Sequence, residues 1–357
     1  MNKIYNHIII GSGFSSFLFN LFLNKKETLI ITTKVGFINK LPKRKKLNNY
    51  LKTFSNKFDS FGNYNFILKN AKLHDTLTDG GNTNVWGGTC NLKKIKNKLI
   101  KLKKIVSFKK ISLNDTGSIS NNKYIHQIQK LNSEKGEIFN CSNHFNNKIS
   151  GHLIKINSIK KNLIELEIKK KKMKKLLCRK LILAVNFTQL LEILLNSNII
   201  KDKDLITLHE CKFKTKISLS TKLLQNKKDT VLCYSVSGII KHALGIQKNF
   251  HKTFFSFFNL IPFYYYQIFS KKKIKATFKI NKYRRKIEEI HHKTDKNFGK
   301  SIHYFNMKVN NLNIEKKLSK VNKNIIGVSC PFLTKNEPGP ISNNLVERSF
   351  YLANKYK

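Results

Sequence analysis

A continuous β-branched run that breaks on two glycines constrains this chain more than any other feature. Ile4 to Ile10 closes on three consecutive isoleucines, and Gly11-Ser12-Gly13-Phe14-Ser15-Ser16 follows at once. A short apolar run without polar alternation is what a strand buried on both faces of a parallel sheet requires. From Phe14 to Asn24, apolar residues recur at Phe14, Phe17, Leu18, Leu21 and Phe22, the spacing of a helix with one buried face. Leu29-Ile30-Ile31 reads as the next strand. The three pieces make a βαβ unit of about 30 residues. In such a unit Gly11 permits the tight turn and Gly13 lets backbone approach a pyrophosphate. The helix N-terminus at Phe14 then stabilises the anion. The third position of the turn is Ser16, where Gly or Ala is usual. A carboxylate normally stands about 20 residues further on and receives the ribose hydroxyls. Here that place is Thr32-Thr33-Lys34, which leaves Thr32 to hydrogen-bond a hydroxyl. The apolar stretch from Ile8 to Leu23 does not read as a secretory signal, because the glycines interrupt it and no small-residue cleavage site follows.

Further along, Asp79-Gly80-Gly81-Asn82-Thr83-Asn84-Val85-Trp86-Gly87-Gly88 holds the only tryptophan and four of the 16 glycines. Ile154 to Ile168 alternates apolar and polar residues, which predicts a half-exposed hairpin with the run Lys169 to Lys175 as its solvated tip. Leu181-Ile182-Leu183-Ala184 predicts another buried strand, and a leucine-rich helix follows it. Near the end, Asn324 to Val328 predicts a short strand, Ser329 to Pro340 a Pro/Gly loop, and Leu345, Ser349, Leu352 and Ala353 one face of a last helix capped by Asn344 and Glu347.

Charge sets limits on partners. Lys plus Arg number 69 against 20 acidic residues, a net +49 that favours anionic partners. The excess is mostly lysine spread over the whole chain rather than one basic stripe interleaved with aromatics. That argues against nucleic acid and leaves peripheral contact with an anionic membrane surface. The segment Phe254–Phe269 is rich in Phe and Tyr, interrupted by Pro262 and flanked by lysines. It falls short of the roughly 20 residues of a membrane span, and it suits an interfacial segment or the apolar wall of a substrate pocket equally. The six cysteines include no C-x-x-C pair and no metal-ligand spacing, and their scatter suits reduced thiols in a cytoplasm. No Walker loop and no Ser-His-Asp pattern is present.

The Gly80–Gly88 segment resembles the glucose-methanol-choline oxidoreductases and their bacterial relatives linked to sugars and glycans. These carry G-G-x-[ST]-x-x-[NW]-G after the first nucleotide-binding unit. Gly80, Gly81, Thr83, Trp86 and Gly87 match, with Asn84 inside the motif. Lys180 to Leu195 resembles the family's strand and leucine-rich helix, with Asn186 where that family has glycine. Asn324 to Ala353 resembles its closing strand, loop and helix, with Ser329, Pro331 and Ala353 in place. The resemblance implies an α/β architecture: a Rossmann-like FAD/NAD(P)-binding domain, its parallel sheet carrying a β-hairpin insertion, from residues 1–204 and 301–357. A smaller substrate or lid domain would come from 205–300. It also implies FAD held by Gly11, Gly13, Phe14, Ser16, Thr32, the Gly80–Gly87 loop and Ser329. The activity it implies is oxidation of a small-molecule alcohol or sugar, a CH–OH donor, by hydride transfer to flavin. An imidazole near its working pH suits the accompanying proton removal. His303 stands in the family's histidine slot, with Asn306 in place of a glycine. The second catalytic slot, an Asn or His in the family, counts back to Gly339 or Pro340, and Asn336 fills it if the loop is shifted. A second reading is a degenerate flavin fold that serves as a membrane-associated binding or assembly factor. Oligomeric state carries no sequence signal. The expected location is the cytoplasm, with the inner face of the membrane as a variant of it.

Overall fold

The computed structural model describes residues 3–23, 28–33, 64–67, 79–84, 88–90, 100–112, 124–133, 137–160, 162–201, 205–209, 213–218, 231–235, 271–272, 275–293, 308–309, 313–333 and 341–356. Strand β1 (Ile4–Ile10) leads through the glycine turn into helix α1 (Phe14–Leu23), which returns to β2 (Thr28–Thr32). β3 (Asn65–Ile67), β4 (Thr89–Cys90), the one-turn helix α2 (Ile100–Lys103), β5 (Val106–Ser112) and β6 (Tyr124–Lys130) follow. Next come β7 (Lys148–Ser150), β8 (His152–Lys160), β9 (Leu163–Lys169), β10 (Met173–Leu183) and helix α3 (Phe187–Asn196). Then come β11 (Leu205–His209), β12 (Phe213–Ser218), β13 (Val231–Ser235), β14 (Lys271–Lys272), β15 (Lys275–Asn281), β16 (Lys286–Lys293) and β17 (Lys308–Val309). The chain closes with α4 (Ile314–Val321), β18 (Ile325–Gly327) and α5 (Ile341–Lys355).

The main sheet runs β7-β2-β1-β10, all parallel, and β10 is shared. Its first half, Met173 to Cys178, pairs antiparallel with β9, and Leu181 to Leu183 pair parallel with β18. β8 extends β9 antiparallel. The parallel sheet with an antiparallel insertion is therefore as the residues imply, but the insertion is a three-stranded meander and not one hairpin. The tip is only Lys170–Lys172, and Met173, Lys174 and Lys175 already belong to β10. Those positions are exposed, so the strand carries no apolar signal where it begins.

The isoleucine run works as its composition requires. Ile8 and Ile10 face one apolar layer with Leu29, Ile31, the meander and α3. Ile9 faces the other with Ile30, Ile182, Ile326, α1 and α5. All three isoleucines are at most 1% exposed. Across the second layer the Phe22 and Phe350 rings meet edge to face at 5.3 Å. Leu345, Ser349, Leu352 and Ala353 all point inward from α5, the face that the spacing predicts. The cap does not follow: α5 begins at Ile341, so Asn344 and Glu347 lie inside it. The amides of a first helical turn need no intrahelical acceptor, so the helix starts at Ile341 without that pair.

A second, mainly antiparallel sheet runs β17-β11-β15-β16-β3. It therefore takes strands from 65–67 and 308–309 as well as from the segment 205–293. Phe278, Ile280 and Ile287 bring it onto the α3 layer, with the Phe187 and Phe278 ring centroids 5.9 Å apart. Smaller sheets form from β13-β12-β14 and β4-β6-β5. The aromatic segment Phe254–Phe269 lies outside the described residues. Among those that are described, no helix is long and apolar enough to cross a membrane.

Asn186, the departure from the glycine of the family pattern, has a local task. It is the N-cap of α3, in extended conformation, and its side chain accepts from the Gln189 amide at 3.0 Å. Asn186→Ala is expected to cost about 1 kcal/mol of unfolding free energy in a denaturant titration. Asn186→Gly should cost only a few tenths.

Candidate dinucleotide site

The site is built where β1 ends. Gly11 has φ +100, its amide donates to the Ile31 carbonyl at 2.7 Å, and a Cβ there would lie 2.5 Å from the Ala184 carbonyl oxygen. Only glycine meets both the conformation and the contact. Gly13 differs. The nearest atom to a Cβ on it is the Gly80 carbonyl oxygen at 3.8 Å, which is ordinary contact. The fold does not need glycine at 13; bare backbone facing a ligand at a helix N-terminus would. α1 starts one residue later, and the Phe17 amide donates to the Gly13 carbonyl.

The second glycine segment comes to the same place. A Cβ on Gly81 would lie 3.4 Å from the Gly13 Cα, so backbone faces backbone across the two turns. The Gly80 amide donates to the Ser12 hydroxyl at 2.9 Å, and that hydroxyl donates in turn to the Thr32 hydroxyl at 2.9 Å. Gly80 and Gly81 both have positive φ. Thr83 closes the turn through its amide and hydroxyl to the Gly80 carbonyl, while its hydroxyl accepts from the Cys141 amide at 3.3 Å. Residues separated by 68 positions thus form one cradle.

The other sequence candidates fall as follows. Thr32 ends β2, buried, with its hydroxyl held by Ser12. Phe14 packs its ring into the α1 layer beside Phe17. Ser16 is fully buried on the first turn of α1, and its hydroxyl has no hydrogen-bond partner. Ser329 follows β18 and donates to the Val185 carbonyl at 2.5 Å, joining the end of β18 to the segment after β10. Asn84 ends the one-turn 3-10 helix Gly81–Asn84. Trp86, Gly87, His303 and Asn336 lie outside the described residues.

The chain has the α/β fold of a dinucleotide-binding domain. It is similar over its whole length to the crystal structure of pyridoxine 4-oxidase from Mesorbium loti. The TM-score is 0.50 at 8% identity, covering 99% of this chain and 99% of that one. A 2,6-dihydroxypyridine-3-hydroxylase from Arthrobacter nicotinovorans aligns over 59% of this chain and 44% of its own, with TM-score 0.27 and 9% identity. A flavoprotein/dehydrogenase from Cytophaga hutchinsonii aligns over 59% and 46%, with TM-score 0.24 and 11% identity. At this identity the first likeness shows the fold. No protein-family model and no curated protein matches the sequence.

Several residues around the cradle carry no clear sequence signal. Ser12 lies between the glycines as a linker of three segments. Asp79 precedes Gly80 and is 1% exposed, in a 2.5 Å ion pair with Lys148 on β7. Lys148 also donates to the Ser142 carbonyl at 2.7 Å. In a chain with so many lysines nothing marks Lys148 in advance. Burial pushes the Cys90 and Cys178 thiols up to about 12 and Cys141 in the same direction, so none is a ready thiolate. Burial foremost, with Lys130 nearby, lowers the pKa of His144, whose ring lies against Phe17 and Phe139.

Proposed function

We propose that this chain is an FAD-dependent oxidoreductase acting on a CH–OH group of an alcohol, a sugar or a glycan-lipid intermediate. The observation that carries the reading is the meeting of the two glycine turns at the N-terminus of α1. The residues fit the group: bare backbone at Gly13, Gly80 and Gly81 lines the cradle at a helix N-terminus, and the orphaned Ser16 hydroxyl sits at the first helical turn. Gly11, Gly13, Gly80 and Gly81 would hold the pyrophosphate, and helix geometry supplies the N–H donors. When bound, FAD supplies the acceptor for a hydride. The task of His303, by resemblance, is to take the substrate hydroxyl proton, and Asn336 is the candidate for the second catalytic slot. Residues 1–204 and 301–357 form the cofactor-binding part in this reading, and 205–300 the substrate-facing part. The likeness to a pyridoxine 4-oxidase supports an oxidation without naming a substrate.

The test is the visible spectrum of purified protein before and after incubation with FAD and desalting. A retained flavin spectrum, bleached by an alcohol or sugar, is the expected result. His303→Ala should keep the flavin and lose the bleaching. Retained bleaching at the wild-type rate would remove His303 from the reaction.

A second reading keeps the fold and drops the chemistry: a membrane-associated binding factor. It is favoured by the exposed tip Lys169–Lys172 with Met173 (54% exposed), a cationic finger suited to anionic headgroups. It also draws on the Thr32 hydroxyl, which is engaged by Ser12 rather than replaced by a carboxylate. Protein that takes up no flavin yet sediments with phosphatidylserine vesicles, but not with neutral ones, would favour it.

A further inference from the structure

We propose that the buried Asp79–Lys148 ion pair is a latch that registers the Gly80–Gly81 turn against the Gly11–Gly13 turn, which makes both residues positioning residues for the cradle. The proposal rests on the dinucleotide reading above and adds the device that assembles the site before any ligand arrives. The contact between the turns is backbone against backbone, close enough that a Cβ on Gly81 would lie 3.4 Å from the Gly13 Cα, so no side chain of either glycine can hold it. The hold comes from outside. Lys148 sits on edge strand β7, paired with Ile30 of β2, and is therefore fixed to the same sheet as β1. Its ammonium reaches Asp79 at 2.5 Å and the Ser142 carbonyl at 2.7 Å. The next residue after Asp79 is Gly80, whose amide meets Ser12 and, through it, Thr32. The Cys141 amide on Thr83 is a second strut from the same stretch. A polar chain thus runs from β7 through Asp79 to the glycine turn and the end of β2.

The chemistry makes this pair effective as a latch. With the Asp79 side chain 1% exposed and that of Lys148 14%, salt screens the interaction little. Removing Lys148 takes the ammonium from a buried carboxylate, and removing Asp79 leaves that ammonium on the neutral Ser142 carbonyl. The turn that carries Asp79 is joined to the sheet through this pair, through the Gly80 amide on Ser12 and through the Cys141 amide on Thr83. Its displacement takes the Gly80 amide away from Ser12.

The experiment compares wild type with Asp79→Asn, Lys148→Met and the double variant. Amide hydrogen exchange is followed at Gly80 and Thr83, and at Ile9 in the core, alongside titration with FAD. Both single variants are expected to exchange Gly80 and Thr83 about tenfold faster or more, with Ile9 unchanged. Their dissociation constants for FAD should rise by about tenfold. The double variant should be little worse than either single, because the two substitutions break one interaction. Lys148→Arg, which keeps the charge and donors, should stay near wild type. Gly80 protection equal to wild type in both singles overturns the proposal, even if overall stability falls. Should neither single variant fold, Asp79→Glu decides. It keeps the charge on a longer arm, so a faster Gly80 amide supports the latch and an unchanged one overturns it. Failure of wild type to bind FAD would end the flavin reading, while the Gly80 exchange still decides the latch.

Discussion

Gly11→Ala is expected to destabilise the protein by about 3 kcal/mol or more, whereas Gly13→Ala, two residues away, should leave stability within about 1 kcal/mol. At Gly11 the added methyl meets a carbonyl oxygen at 2.5 Å, with the backbone already at φ +100. Moving that oxygen disturbs backbone pinned on both sides, by the Ala184 amide on the Ile10 carbonyl at 2.9 Å and by the Ser329 hydroxyl on the Val185 carbonyl. At Gly13 the methyl finds ordinary contact, and the backbone is outside the left-handed region. Its effect belongs to the ligand: the methyl enters the space that a pyrophosphate needs, and FAD affinity should fall by tenfold or more, about 1.4 kcal/mol. Denaturant unfolding and flavin titration of both variants separate the two roles. A Gly13→Ala protein that binds FAD as wild type does would remove the glycine turn from the cofactor site.

Glu192→Ala should cost about 1–3 kcal/mol, because it takes the carboxylate away from a buried His152 ring nitrogen. His152 opens β8 and Glu192 lies on α3, both about 5% exposed or less, with 2.9 Å between Nε2 and the carboxylate. Gln189 stands 3.5 Å from the other ring nitrogen. The group binds the meander to α3, in the layer that Ile8 and Ile10 face. Replacing both partners by leucine should restore most of the loss, since a packed apolar pair of similar volume avoids desolvating two polar groups. Unfolding midpoints of the single and double variants at one pH check this. A loss under about 1 kcal/mol for Glu192→Ala would mean that the site is open to water.

Much of the main sheet was legible because its signals are local. Three adjacent isoleucines need two buried faces, and the structure supplies one for Ile8 and Ile10 and the other for Ile9. The α1 and α5 faces follow the helical period. The start of β10 was not legible, because exposed edge positions occupied by lysines obey no burial rule. The first residue of α5 was missed for a related reason: a plausible capping pair inside a helix looks the same as one at its start. Asn186 read as a defect in a family pattern and is a helix cap, a distinction that only its backbone conformation makes.

By itself the sequence determined the βαβ unit, the conformational need for glycine at 11, and the presence of a second glycine segment with a backbone-lined surface. These are properties of short stretches, decided by hydrophobic period and by the absence of a Cβ. Only the tertiary structure decided that the two segments meet, that Ser12 joins them to Thr32, and that Asp79 finds its partner in Lys148. Pairing across 68 residues is chosen by the sheet order that places β7 beside β2, and one lysine among many becomes specific when its strand carries it to a buried carboxylate.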